Sequence, residues 1–258
     1  MNMMRFTTMK TKLRKYPSIF LILLLAIFSC FLTGCVNQHP KDSKKSSQGE
    51  SVETMLEITD PKEKQAVLNA KAKVKALSGN PRIVATSPAV ADICDKLDLD
   101  LVGVPKSSVS KIPSRYKKVK KVGLAMSPDM EIVSSLNPDW ILAPSSLETD
   151  LKPKFEELKN TEYAFLNLRS VQGMYRSVQE LGEIFGKQQE AEKMTKEFTT
   201  FYKSYTKRNK NKKHPKVLVL MGLPGSYVIA TENSYVGSLI KLAGGENVYQ
   251  NADQEFLT

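Results

Sequence analysis

Histidine, cysteine and tryptophan are nearly missing from this chain, whose 258 residues contain two, three and one of them. Cys30 lies inside an apolar N-terminal run and Cys35 follows directly after it, so Cys94 is left without an intramolecular partner and a disulfide framework is excluded. No Cys-x-x-Cys pair or Cys/His cluster occurs, and a structural zinc site is not expected. A manganese or zinc receptor is disfavoured for the same reason, since such sites need several histidine and carboxylate ligands. Nucleophile elbow, phosphate loop and His-Glu-x-x-His signatures are all absent. Cys94 reads as a small buried side chain, and the chain is therefore not read as an enzyme.

The first 35 residues also lack acidic side chains. Arg5, Lys10, Lys12, Arg14 and Lys15 precede an apolar run from Ile19 to Phe28 that continues to Leu32. A membrane span needs about 20 apolar residues, so this run is too short, and its charged start matches a secretory signal. Leu32-Thr33-Gly34-Cys35 has the form of a lipobox, which makes residues 1–35 a lipoprotein signal peptide and Cys35 the lipidation (palmitate) site. Two acyl chains hold a membrane stably where one is marginal. Residues 36–58 are polar, without apolar periodicity, and read as a flexible tether. The expected location is the extracellular face of a Gram-positive cell membrane.

The formal charge of +11 shrinks once the signal is set aside. Five of the 38 basic residues lie in it, which leaves 33 against 27 acidic ones, or +6. Such a balance sits easily on an anionic cell surface but is not the footprint of a nucleic-acid binder.

From Arg82 onward short apolar strands alternate with helical patterns, which predicts a parallel α/β lobe. Strands are expected at 83–85, 101–104, 139–143 and 164–168. Ser87-Pro88 and Ser127-Pro128 both read as helix starts, with serine as cap and proline in the first turn. Proline is then missing from 154 to 214, where Met194, Phe198, Phe201, Tyr202 and Tyr205 imply one helix of more than about 20 residues. The basic run Lys207–Lys213 closes it, in keeping with the helix dipole. After His214-Pro215 a second α/β pattern begins, with a buried strand at 217–221, another at 228–230, and a helix through Val236, Leu239 and Leu242. The expected domains are an N-terminal lobe (59–186), a long connecting helix (187–214) and a partial C-terminal lobe (215–258). Two or three strands and one helix cannot cover a parallel sheet on both faces, so the sequence reads as a C-terminally truncated fragment.

Lobe, long proline-free helix, lobe is the order of the substrate-binding proteins that carry cobalamin, siderophores and haem to ABC importers. Leu136-Asn137-Pro138-Asp139 resembles their family-wide strand start. Ile112-Pro113-Ser114-Arg115-Tyr116-Lys117, the segment from Lys213 to Tyr227 and Ala243-Gly244-Gly245-Glu246-Asn247-Val248 resemble the haem-binding lipoproteins of the iron-regulated surface determinant type. The resemblance runs from about Arg82 to the end of the chain. It implies a class III periplasmic-binding-protein fold of two lobes joined by one helix, with haem as transported ligand. A ferric siderophore or cobalamin on the same fold is the alternative.

In that family a first-lobe methionine and a second-lobe histidine hold the haem iron. The matching methionine is Met126, in Gly123-Leu124-Ala125-Met126-Ser127-Pro128. Taken alone it is one of ten methionines and reads as a core gap-filler. The matching histidine lies beyond the point corresponding to Thr258. His39 and His214 are poor substitutes, so half an iron site, weak haem binding or none, and poor stability are expected here. For a chain extended to a full second lobe a low-spin spectrum is expected. Ser87, Ala89 and Val90 at the first strand-to-helix turn, and Ser107, Ser108 and Val109 after Pro105, are candidate propionate contacts, with ordinary capping as the alternative. Gly225, Ser226 and Tyr227 either close over the ligand or form a tight turn. Glu131 matches the glutamate that docks the permease, or is a solvated helix residue. The implied partners are the ABC permease and its ATPase, upstream haem-donor surface proteins and the membrane through the lipid anchor. No nucleic acid is implied, and the chain is expected to be a monomer.

Overall fold

The computed structural model describes residues 56–58, 60–250 and 252–258. The expected signal peptide, the expected lipidation site Cys35, His39 and nearly all of the expected tether lie outside them. Leu56, still within the expected tether, is already buried.

Helix α1 spans Pro61–Lys75, with Asp60 as cap, its carboxylate accepting from Lys62 N at 2.8 Å, and Pro61 in the first turn. Sequence reasoning passed over this helix because its apolar stripe is thin. Val67 is its one buried residue, with Ala70 and Val74 half-buried against the core one and two turns on. Ion pairs Lys71–Glu183 and Lys73–Glu162 (2.6 Å) flank the stripe.

Five parallel strands follow in the order β3-β2-β1-β6-β7: β1 (Ile83–Ala85), β2 (Leu101–Val104), β3 (Lys120–Lys121), β6 (Trp140–Pro144) and β7 (Glu162–Leu166). Between β3 and β6 lie the short strands β4 (Gly123–Leu124) and β5 (Ser127–Pro128), which pair with each other. Side chains along β1 and β6 alternate between two cores. Ile83, Ala85, Trp140 and Leu142 join α2 (Pro88–Lys96) and α5 (Val171–Phe185) on one face. Val84, Ile141 and Ala143 pack with Val133 of α3 (Met130–Ser135) and with Leu151 and Phe155 of α4 (Glu148–Glu156) on the other. Burial on both faces explains why these strands read as unbroken apolar runs.

Helix α5 ends at Gly186, whose φ of 70° is the left-handed stop that glycine accepts without penalty. Helix α6 (Gln188–Asn209) then runs 22 residues, with Phe198 stacked between Tyr175 and Tyr202. The basic run at its end begins inside the helix and continues past it.

The rest of the chain departs from the expected pattern. The strand expected at 217–221 is split into β8 (Lys216–Val217) and β9 (Leu220–Leu223), and it is not buried. Leu218, Leu220, Met221 and Leu223 are all exposed. The cause is a change of partner. β8 pairs in parallel with β11 (Glu246–Asn247), whereas β9 pairs antiparallel with β10 (Ser226–Ala230), which also receives β12 (Phe256–Leu257). Helix α7 (Tyr235–Leu242) is capped by Ser234, whose oxygen accepts from Gly237 N at 3.0 Å. This part touches the first through Arg169–Glu255 (2.9 Å), Val171 N to Ser238 Oγ (3.4 Å) and Tyr205 OH to Ala243 O (2.9 Å).

Candidate functional site

In an open parallel sheet, ligands gather beyond the C-terminal ends of the strands, where the chain order reverses. Here the reversal falls between β1 and β6. The loops after β1 and β2, and the β4–β5 hairpin beyond β3, are the elements available at that edge.

After β1, Thr86 is locked to the neighbouring strand, its N–H donating to Leu142 O at 3.0 Å. Ser87 caps α2 as expected, its hydroxyl accepting from Val90 N at 3.3 Å, and its carbonyl accepts from Ala91 N. Pro88 has no N–H. Of the three expected anion contacts here, Val90 is therefore buried and occupied, and the exposed Ala89 carries the remaining backbone donor. Ordinary capping accounts for Ser87.

After β2, Lys106 N donates to Gly123 O at 2.6 Å, which ties this loop to the β4–β5 hairpin. Ser107 accepts from Ser110 N at 3.0 Å, and the turn so formed holds Val109 out at 95% exposure. Ser107, Ser108 and Val109 line an open cavity of about 860 Å³ together with Asp92, Asp95 and Lys117. The carboxylates were not foreseen, and they temper the positive field on this wall. Burial, then repulsion from Asp95, raises the Asp92 pKa against the pull of Lys96.

The hairpin corrects the expected helix start at Ser127. Ser127 pairs with Leu124 and Pro128 with Gly123, so both are strand residues. Asp129 caps the helix instead, accepting from Ile132 N at 3.1 Å, and α3 begins at Met130. Met126 thus sits in the tip of a hairpin. Met126 is 73% exposed, and Leu124, two residues before it, 57%. Met126 does not fill the core. Glycine is required at 123, where φ is +94° and a Cβ would lie 2.8 Å from Asp129 N. Glu131 is exposed in the first turn of α3.

Gly225 (φ +79°) makes a tight turn between β9 and β10, and Ser226 and Tyr227 belong to the ladder, opposite Leu223 and Gly222. His214 is bound through Nδ1 to Gly244 O at 2.6 Å, in the junction before β8. Cys94 is fully buried, and burial pushes its thiol up to about 12, which removes it as a nucleophile at neutral pH. Among the described residues no group of three His, Cys, Asp or Glu side chains could hold a bare metal ion.

Packing also assembles a second, apolar cavity of about 430 Å³ that sequence reasoning missed. Ala89, Ile93, Lys96 and Asp92 of α2 meet Leu168, Met174, Met194 and Tyr235 there. Met174 and Met194 were legible only as positions on helical stripes, and their convergence depends on how α5, α6 and α7 are packed.

A family model of periplasmic binding proteins matches residues 83–258. Over 182 residues the chain is 40% identical to the high-affinity heme uptake system protein IsdE of Staphylococcus aureus, covering 70% of this chain and 62% of that protein. The chain thus spans 62% of the length of the curated relatives it matches. Among solved structures, an ABC transporter substrate-binding protein from Listeria monocytogenes is similar at 45% identity and a TM-score of 0.65, over 69% of each chain. S. aureus IsdE complexed with heme is similar at 39% identity and a TM-score of 0.65, over 70% of this chain and 69% of that one.

Proposed function

The chain belongs to the periplasmic binding protein family, and from that membership we propose that it is the haem-binding lipoprotein of an ABC importer, which passes its ligand to the permease unchanged. The observation that carries the reading is Met126, held out at 73% exposure on a hairpin tip at the ligand edge of the sheet. A large apolar thioether so placed gains little from packing, whereas it is a soft, neutral donor suited to haem iron. Leu124, beside it, offers apolar contact to a porphyrin face. The proposed propionate contacts are the exposed backbone of Ala89 and the hydroxyls of Ser107 and Ser108, with Val109 against the macrocycle. Gly225, Ser226 and Tyr227 belong to the opposite rim.

Residues 59–186 form the first lobe in this reading, 187–214 the connecting helix, and 215–258 belong to the second lobe. Glu131, exposed one helical turn from the hairpin, meets an arginine of the permease. Cys35 carries the lipid that anchors the protein on the outer face of a Gram-positive membrane, and residues 36–58 are the tether. Upstream surface proteins supply the haem.

The test is an absorption titration of the purified chain with ferric haem, run beside iron-free protoporphyrin IX, cobalamin and a ferric siderophore. A haem band altered by the protein, with little response to the other three, is expected. Equal binding of the iron-free porphyrin removes the iron–sulfur bond from the argument. Tighter cobalamin or siderophore binding replaces haem as the ligand.

A further inference from the structure

The segment from Lys106 to Lys121 carries a charge pattern that the ligand site does not use. It contains Lys106, Lys111, Lys117, Lys118, Lys120 and Lys121 and no acidic residue. Arg115, the remaining cation, is neutralised by ion pairs with Asp98 and Asp100, each at 2.7 Å. The six lysine side chains, by contrast, have no hydrogen bond or ion pair among the described residues. Five are exposed and Lys121 is half-buried. They decorate β3, the outer strand of the five-stranded sheet, and the loop that leads to it.

We infer that this edge is a docking surface for an acidic protein that delivers the ligand to Met126, an errand that rests on the haem reading above. Three observations favour a protein over other anions. Six charges carried by the edge strand β3 and the loop leading to it exceed what the two carboxylates of a single haem can engage. Val109, at 95% exposure, lies between Lys106 and Lys111 in the chain, and the exposed Leu124 follows Lys121 by three residues; apolar anchors next to charge suit a protein interface but add nothing toward a polyphosphate. The outer side of β3 also presents unpaired backbone groups. Lysines on such an edge repel a second copy of this chain, yet attract a strand or loop that carries carboxylates. The bond from Lys106 N to Gly123 O (2.6 Å) joins this surface to the Met126 hairpin, so a partner seated on the edge is next to the ligand's landing point.

The test uses a quadruple variant (K106Q, K117Q, K118Q, K120Q) and V109S in the full chain, each probed by titration calorimetry at low and high salt. The probes are a random glutamate–tyrosine copolymer, polyphosphate of matched charge, and free ferric haem. Expected results are copolymer binding stronger than polyphosphate binding, roughly tenfold weaker in the quadruple variant and several-fold weaker in V109S, and steeply reduced by salt. Unaltered melting temperatures show that the variants fold. Free-haem affinity of the quadruple variant is expected to match the parent chain, and a loss there makes the lysines ligand contacts and overturns the docking assignment; V109S is read with the copolymer and polyphosphate alone, because Val109 is itself a proposed haem contact. Polyphosphate bound as well as the copolymer, with no effect of V109S, overturns it in favour of an anionic polymer. Copolymer binding that is absent, or unchanged in the quadruple variant, also overturns it. If haem fails to bind the parent while the copolymer behaves as expected, the ligand reading falls and the surface stands.

Discussion

Replacing Met126 with alanine separates the two roles open to a methionine. Fully burying a methionine side chain is worth about 1.5–3 kcal/mol. With 73% of Met126 exposed, only about a quarter of that is at stake, roughly 0.4–0.8 kcal/mol. The hairpin itself is held by backbone pairing of Gly123 with Pro128 and by Asp129 N to Val122 O at 2.8 Å, none of which needs the side chain. Met126→Ala is therefore expected to leave the unfolding midpoint within a few degrees of the parent. Leu142→Ala, at a site with no exposure, should cost about 2–5 kcal/mol and shows that the assay can register a core deletion. Ligand binding should move the other way. Loss of an iron ligand is expected to weaken haem at least tenfold, about 1.4 kcal/mol, and to change the absorption spectrum. Thermal unfolding by circular dichroism and haem titration by absorbance read the two quantities on the same samples. An untouched spectrum and affinity would remove Met126 from the iron site. A large drop in stability would make it a core residue after all.

Gly123→Ala places a Cβ against Asp129 N at a φ of +94°, and such strain costs about 1–3 kcal/mol, measured by denaturant unfolding; haem affinity should fall with it because the hairpin carries Met126. Arg115→Ala should lower the melting temperature at pH 7 but have less effect near pH 3. Hydrogen bonds from Lys187 and Arg115 hold the Asp98 carboxyl below its usual range, so that stabilisation is present above about pH 4 and is lost as pH falls through the depressed value. Glu180 shows the opposite sign. Burial and a hydrogen bond with Glu63 raise its carboxyl to about 8, so its contribution is complete below the ordinary carboxylate range and is lost as pH rises toward 8. Glu180→Gln should flatten that part of the stability profile, which thermal melts between pH 5 and 9 will read.

Much of the first lobe is written locally. Strands at 83–85 and 101–104 are found with the bounds expected from their apolar runs, because a strand buried on both faces has no polar residue to blur it. Ser87-Pro88 caps a helix as read, since serine as cap and proline in the first turn are favoured by contacts within one turn. The helix carrying Phe198, Tyr202 and Tyr205 follows from spacing alone. The family resemblance likewise rests on short phrases legible in the chain.

Other features depended on partners distant in sequence. Ser127-Pro128 has the same local form as Ser87-Pro88, but the extended strand Gly123–Leu124 folds back on it, and the cap passes to Asp129. That one pairing turned Met126 from a plausible core residue into an exposed tip. The run 217–221 looks like one buried strand, but its two halves pair with different strands and its large side chains stay exposed. Helix α1 has too few apolar residues to announce itself, and becomes visible through what Val67 and the lysines at 71 and 73 meet on α5 and β7. Capping, periodicity and burial on both faces are short-range or one-dimensional signals and survive in the sequence. Which edge a strand finds, and which side chain is thereby left in solvent, is a comparison between distant segments that only the folded chain resolves.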